Sequence, residues 1–503
     1  MTAERTELPR SPRPGSTWEV TIDELSVDGR GIAHFPAYVG PQREQKDFRF
    51  LVRKALPGDE LEILVERRRG DRIDARIEQV IDSSPMRIEP RCRHFGRREV
   101  SGEGCGGCTI QSLSYRHQLA AKEKTVKGLV AEEGLDPGRV RPVRGQDDPW
   151  YYRNNMEFSF GDTDEREFAL GMYPTGYHFE IVNLEECFLQ SEFASQLLPA
   201  ARQWAKERGL SPYLDSSNEG FLRTITIREG KRTGERMVGL MTTHDQTAEC
   251  RGEEVPAGEV AESFAEWIVE WAKRRGDAVT SVYWTQKKQI RGETTEWFEH
   301  NLYGKPVLEE ELHLPGQQVL RFEIDPRAFF QTNTLQAEEL YAEVLERSGL
   351  LEMEAEGTVL DLYCGTGTIA LCMAPYAERV VGVEMQPDAV ANARKNAETN
   401  AIENARFFEG DVGEVLATDE FVEAAPEVDL VVVDPPRAGL QPEALEHVLS
   451  VDAPRVVYVS CNPESLSRDV SKMVDQGYQL RSIQPVDMFP HTYHIECVAL
   501  LEQ

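Results

Sequence analysis

Between residues 357 and 436 the chain alternates short, nearly continuous apolar runs with helix-like stretches, and no other segment restricts the possible folds as much. Thr358-Val-Leu-Asp-Leu-Tyr363 reads as a strand, followed by Cys364-Gly365-Thr366-Gly367-Thr368 and a helix. Val380-Val-Gly-Val-Glu384 is a second strand, ending in an acid, with a helix over residues 387–400 behind it. Val428-Asp-Leu-Val-Val-Val-Asp434 is a third. Strands that are apolar on both faces need helices on both sides, so this pattern specifies a parallel, doubly wound sheet.

The turn after the first strand adds a site. Gly-x-Gly between strand and helix lets a ligand approach the backbone, and the helix start offers free amides. Glu384 at the second strand end suits a ribose diol. These features alone fit a dinucleotide or S-adenosylmethionine, and Ala370 satisfies the looser dinucleotide pattern. Asp434-Pro435-Pro436-Arg437 separates the two, because an acid and two prolines at a strand end make a rigid polar floor. It resembles the Asp/Asn-Pro-Pro motif of class I methyltransferases, which implies S-adenosylmethionine.

A second constellation lies further on. Val459-Ser460-Cys461-Asn462-Pro463 follows the strand-like Arg455-Val-Val-Tyr458, and His494-Ile495-Glu496 follows later. Cys461 at a strand end is a candidate nucleophile, and Glu496 in the last segment a candidate base.

Upstream, residues 17–82 hold short alternating runs separated by Asp28-Gly29, Pro57-Gly58-Asp59 and Arg69-Gly70-Asp71, the pattern of a small antiparallel β-barrel. Residues 113–130 are helix-like, and 151–310 read as mixed α+β with strands at 156–160, 221–227, 237–242 and 281–286. Trp267 and Trp271 are four apart on one helix face and read as core packing. Polar, proline-containing residues 1–16 read as a disordered leader. No run of eighteen apolar residues occurs, so no membrane span is expected.

The formal net charge of −31 looks hostile to nucleic acid. Of 56 basic and 87 acidic residues, however, the first hundred positions carry 19 and 18, including Arg67-Arg68-Arg69. The N-terminal fifth is thus spared the acidity. Elsewhere the acidity favours solubility or adaptation to high salt, where an RNA-binding protein would rely more on shape and stacking than on phosphate contacts.

Nine cysteines, odd in number and without an export signal, favour reactive or metal-ligating thiols over disulfides. Cys92, Cys105, Cys108 and Cys187 make a four-thiolate set that fits zinc or an iron–sulfur cluster.

Several stretches together resemble the RNA (uracil-5-)-methyltransferase family, in the branch with an N-terminal TRAM barrel and a [4Fe–4S] cluster that includes the 23S rRNA enzymes. They are Phe329-Phe330-Gln331-Thr332-Asn333, residues 361–368 and 433–439, Ser460-Cys461-Asn462-Pro463, and Met488-Phe489-Pro490-His491-Thr492. The resemblance runs through the C-terminal third, the barrel and the Cys-rich region, and fades over 200–280. It implies a multi-domain chain: leader 1–16, OB-like TRAM β-barrel 17–82, central α+β iron–sulfur domain 85–315, and Rossmann-like α/β catalytic domain 320–503, with the helix near 112–130 packing on the last.

The resemblance also implies Cys461 as nucleophile and Glu496 as base. Gln331, Tyr363, Glu384, Asp411 and Asp434 would contact S-adenosylmethionine, and Cys92, Cys105, Cys108 and Cys187 would hold [4Fe–4S]. Thr368 stands where the family varies, and residues 97–104 look like an insert between the first two cysteines. The expected partner is RNA, ribosomal before transfer RNA, and the expected protein a cytoplasmic monomer. A cytosine-5 enzyme is disfavoured, since no cysteine stands beside Pro435-Pro436. A non-catalytic iron–sulfur RNA-binding protein is the remaining alternative.

Overall fold

The computed structural model describes residues 11–39, 44–96, 104–163, 165–176, 179–290, 292–351 and 357–503. Among the described residues, three large sheets follow one another along the chain, with two further two-stranded ones.

The first contains β1 (Thr17–Thr21), β2 (Glu24–Leu25), β3 (Gly31–Val39), β4 (Glu44–Val52), β5 (Glu60–Arg69) and β6 (Arg72–Asp82), in the order β1-β5-β6-β4-β3-β2. Phe48, Phe50, Leu61, Ile63 and Ile73 alternate inward to fill its core. The sequence pattern predicts an antiparallel arrangement. In the structure β4 pairs with β6 in parallel, because the β5–β6 hairpin returns β6 alongside β4 in the same direction. The expected leader also needs correction at its end. Gly15 N donates to Val65 O at 2.8 Å, and Arg68 Nη1 to Pro12 O at 3.1 Å, so this stretch is held against β5. Its first ten residues lie outside the described set.

After α1 (Tyr115–Glu132), the central sheet comprises β7 (Asn155–Asp162), β8 (Phe168–Met172), β9 (Val182–Asn183), β10 (Leu222–Glu229), β11 (Arg236–Thr243), β14 (Ser281–Lys288) and β15 (Glu296–Gly304). Helices α2 (Glu192–Glu207) and α3 (Ala257–Arg274) cover one face, and a hairpin of β12 (Thr247–Cys250) and β13 (Glu253–Pro256) lies beside α3. Trp267 and Trp271 pack with Trp204, Phe264 and Phe193 on this covered side. A second hairpin, β16 (Leu308–Leu314) and β17 (Gln318–Ile324), leads into α4 (Thr334–Ser348).

The last sheet has the α/β methyltransferase-like architecture expected from the apolar runs. Its strands are β18 (Thr358–Leu362), β19 (Arg379–Glu384), β20 (Ala405–Glu409), β21 (Leu430–Val433), β22 (Arg455–Ser460), β23 (Gln479–Val486) and β24 (Glu496–Glu502), in the order β20-β19-β18-β21-β22-β24-β23. Leu340 and Val344 of α4 pack on one face with α5 (Thr368–Met373) and α6 (Pro387–Thr399). On the other face lie α7 (Val412–Leu416), α8 (Asp419–Ala424), α9 (Pro442–Ser450) and α10 (Pro463–Asp475), joined by Val126 and Val130 of α1.

The parallel expectation holds from β20 to β22 only. β24 enters antiparallel between β22 and β23, pairing Ser460 with Cys497. The chain order reverses between β18 and β21, which opens a crevice at their carboxyl ends.

Candidate active site

Strand register gathers the predicted residues along one edge. Leu362 lies abreast of both Val383 and Val433, so Tyr363, Glu384 and Asp434 follow side by side at the carboxyl ends of β18, β19 and β21. Tyr363 adopts φ +64°, and its N–H and that of Cys364 both donate to Val383 O. Gly365 N–H donates to Glu384 Oε2 at 3.1 Å, and Gln386 N–H to Oε1 at 2.9 Å. The acid is therefore held at its strand end by two amides.

Gly367 begins α5 with φ +78°. A Cβ there would lie 2.9 Å from both Ala393 Cβ and Phe407 Cζ, so the turn requires glycine. Asp361, fully buried one turn below, accepts from Ala370 N at 3.0 Å, and burial pushes its carboxyl well up. Asp411 caps α7, its Oδ1 accepting from Gly413 N at 2.9 Å. Gln331 is half-buried at the entrance to α4, and its carbonyl accepts from Asn154 Nδ2 at 2.8 Å. Burial pushes Asp434 up to about 7.

Cys461 is presented by a pinned turn. Ser460 Oγ accepts from Asn462 N at 3.1 Å, and Asn462 caps α10 while its Nδ2 donates to Arg437 O at 2.8 Å. Because Ser460 pairs with Cys497, the next pair out along β22 and β24 is Cys461 and Glu496. Burial raises the Cys461 thiol, Glu496 and Asp434 raise it further, and Arg437 opposes both effects. Burial likewise holds the Glu496 carboxyl well above its usual range, with Asp434 adding to the shift. The start of α10 favours a thiolate at this position. A thiol and a buried carboxyl thus stand side by side at the ends of β22 and β24.

Of the two arginines near these motifs, Arg468 is committed to Asp469 at 3.0 Å and to Ala438 O at 2.8 Å. Arg437 is exposed.

The segment leading into Glu496 is clamped by residues to which the sequence assigned no such role. Buried Lys122 of α1 meets Asp487 at 2.5 Å and donates to Phe489 O at 3.2 Å. Gln118 Oε1 accepts from His491 N at 2.8 Å, and Tyr152 OH donates to Pro490 O at 3.2 Å. Thr109 and Ile110, next to Cys108, both donate to His491 O. The one available signal was a lysine and a glutamine on the inward stripe of α1, where a polar side chain needs a buried partner.

Cys92, Cys105, Cys108 and Cys187 line one cavity, together with Met156, Met172 and Leu189. All nine cysteines are free thiols. Gly107 N–H and Gln111 Nε2 each approach a sulfur at 3.4 Å, on Cys105 and Cys108 respectively. Burial raises Cys105 to about 11 and Cys187 to about 12. Among the described residues no three His, Cys, Asp or Glu side chains converge tightly enough to hold a single ion. Most of the apparent insert, residues 97–103, lies outside the described set.

Comparison with known proteins places the chain among RNA methyltransferases. Residues 299–503 match the family model described as tRNA (Uracil-5-)-methyltransferase. An RNA methyltransferase of Caldanaerobacter subterraneus subsp. tengcongensis is 34% identical over 97% of this chain and 99% of its own. One from Protochlamydia amoebophila is 35% identical over 89% of this chain and 98% of its own. The crystal structure of Pyrococcus abyssi tRNA (uracil-54, C5)-methyltransferase with S-adenosyl-L-homocysteine matches with a TM-score of 0.69 at 29% identity. That match covers 96% of this chain and all of the other.

Proposed function

The chain belongs to the RNA (uracil-5-)-methyltransferase family, and from that premise we propose that it methylates carbon 5 of one uridine in RNA, using S-adenosylmethionine. The observation that carries this reading is the β22–β24 register, which sets Cys461 beside Glu496 at the edge shared with Asp434.

Carbon 5 of uracil is a weak nucleophile. The Cys461 thiolate adds to C6, which makes C5 enolate-like. The sulfonium cofactor supplies an electrophilic methyl group, which C5 takes while the thioether leaves. The Glu496 carboxylate removes the C5 proton, and Cys461 is expelled as the C5–C6 double bond reforms. By the family resemblance Tyr363, Glu384 and Asp411 would contact the adenosine, and Gln331 and Asp434 would lie towards its reactive end. The target base must leave its stack to reach Cys461.

The four cysteines would hold [4Fe–4S] as a structural tie. That assignment over zinc rests on the family resemblance, and the shared apolar cavity is compatible with it. The first sheet would serve as a TRAM-type RNA-binding platform, where Arg67 and Arg69 remain exposed. Large-subunit ribosomal RNA is the first candidate substrate. Transfer RNA is the second reading, favoured by the likeness to the P. abyssi enzyme.

A mechanism-based trap tests the reaction. Protein, S-adenosylmethionine and RNA carrying 5-fluorouridine should give a stable covalent adduct that Cys461→Ala abolishes. Separate ribosomal and transfer RNA pools identify the substrate. No adduct and no methyl transfer on any cellular RNA class would sink the proposal. Anaerobically purified protein should contain iron and acid-labile sulfide, and zinc without iron would overturn the cluster assignment.

A further inference from the structure

The central sheet has two unlike faces. One is apolar and lies under α2 and α3. On the other, register places Asn155 beside Arg228, Glu157 beside Thr226, and Thr226 beside Gly239. This face floors a cleft of about 260 Å³. Gly239 lies at its middle. A Cβ there would meet nothing nearer than Thr226 Cβ at 3.6 Å, and the backbone φ is not positive. Neither packing nor conformation demands glycine, so its effect is to deepen the cleft.

Trp297 walls one side. The Arg327 guanidinium lies 4.6 Å from its ring centroid and Lys287 Nζ 5.2 Å. Arg228 is only 9% exposed. Its Nη2 donates to Ala328 O at 2.8 Å, while its Nε–H has no protein partner. Asn155 Oδ1 is likewise without one. Burial raises the Glu157 carboxyl, with Lys287 opposing. Glu299 stands at the rim, 3.9 Å from Arg327.

Two carboxyl groups among three cations disfavour a bare phosphate, and a floor that mixes Met237, Met241 and Tyr283 with polar groups disfavours a purely aliphatic one. Stacked planar side chains beside the polar groups of Glu157, Thr226 and Thr285 suit a nucleobase. Guanine fits best: its O6 and N7 accept from arginine, and its N1–H and N2–H₂ donate to a carboxylate or amide oxygen. Pro326 and Arg327 of its wall precede Gln331 by five and four residues in the chain.

We infer that the cleft over Gly239, walled by Trp297 and Arg327, binds an unstacked guanine of the RNA substrate other than the target base. This rests on the RNA reading above. It would make the central domain a determinant of which uridine is chosen.

The test uses full-length protein saturated with S-adenosyl-L-homocysteine, so that nucleotides cannot occupy the cofactor site. GMP, AMP, CMP and UMP are titrated by saturation-transfer NMR. GMP should bind best, and Gly239→Val, which fills the cleft, should weaken it about tenfold. Trp297→Leu should do the same and serves if the first variant does not fold. On RNA, both variants should raise KM about tenfold with kcat retained. Unchanged KM in both variants, with wild type active, overturns the inference. Preference for another nucleotide overturns the guanine assignment. If wild type methylates no RNA, the functional reading fails instead, and the GMP titration still reports on the cleft.

Discussion

Lys122→Met should unseat the segment that delivers Glu496. The Lys122 side chain is 3% exposed, Asp487 is fully buried, and 2.5 Å separates the charges. Tyr115 stands close enough for the Asp487 charge to help raise its phenol, and it offers no compensating charge. Removing one member of a buried pair costs about 3–5 kcal/mol, because the other charge is left uncompensated. The lost bond to Phe489 O costs about 1 kcal/mol more.

Adding Asp487→Asn removes the stranded charge, so the double variant should recover about 2 kcal/mol or more. A chain of several domains does not unfold in two states, so the readout should be local. Hydrogen exchange measured by mass spectrometry over residues 487–496 should lose protection by about a thousandfold to ten-thousandfold in the single variant. Turnover should fall with it, and the double variant should regain much of the protection. If protection in the single variant stays within about tenfold of wild type, or the double variant is worse, this pair does not hold the segment.

Glu496→Gln should still form the C6 adduct and accumulate it on unmodified RNA, with methylated product formed about 10²–10⁴-fold more slowly; inactivity without adduct would contradict the base role. Folded Asp434 keeps its proton up to about pH 7, whereas the unfolded chain releases it near 3.9, so its contribution to stability is present below about pH 4 and lost as pH rises through 7. A sulfonium favours the ionised form, so affinity for S-adenosylmethionine should climb towards pH 7 while that for neutral S-adenosylhomocysteine does not; parallel pH curves in calorimetry would refute this, and Asp434→Asn should abolish the difference. Gly367→Ala forces a left-handed alanine against Ala393 and Phe407 and should cost about 1–3 kcal/mol and weaken cofactor binding; unchanged melting and affinity would contradict the requirement.

Much of the catalytic domain was legible because its signals are local. Apolar runs, Gly365 and Gly367, and the acids at strand ends each declare themselves within a few residues, and β18 to β22 form where those runs predict. In the same way Ser460 and Asn462 flank Cys461 as a strand end and a helix cap would. The central strands near 156, 221, 237 and 281 were also visible in alternation alone.

Pairing order was not. Nothing within β24 says that it enters between β22 and β23, yet that insertion sets Glu496 against Cys461. Nothing near β6 says that it meets β4 in parallel. Lys122 and Asp487 lie 365 positions apart, and Cys187 reaches the other three thiols only through the packing of the central sheet. Side-chain periodicity and turn chemistry act over a few residues, so the sequence alone determined the elements and the chemical types at their ends. Strand neighbours, buried charge partners and the polar cleft over Gly239 depend on which distant surfaces exclude water from one another, and only the tertiary structure decided those.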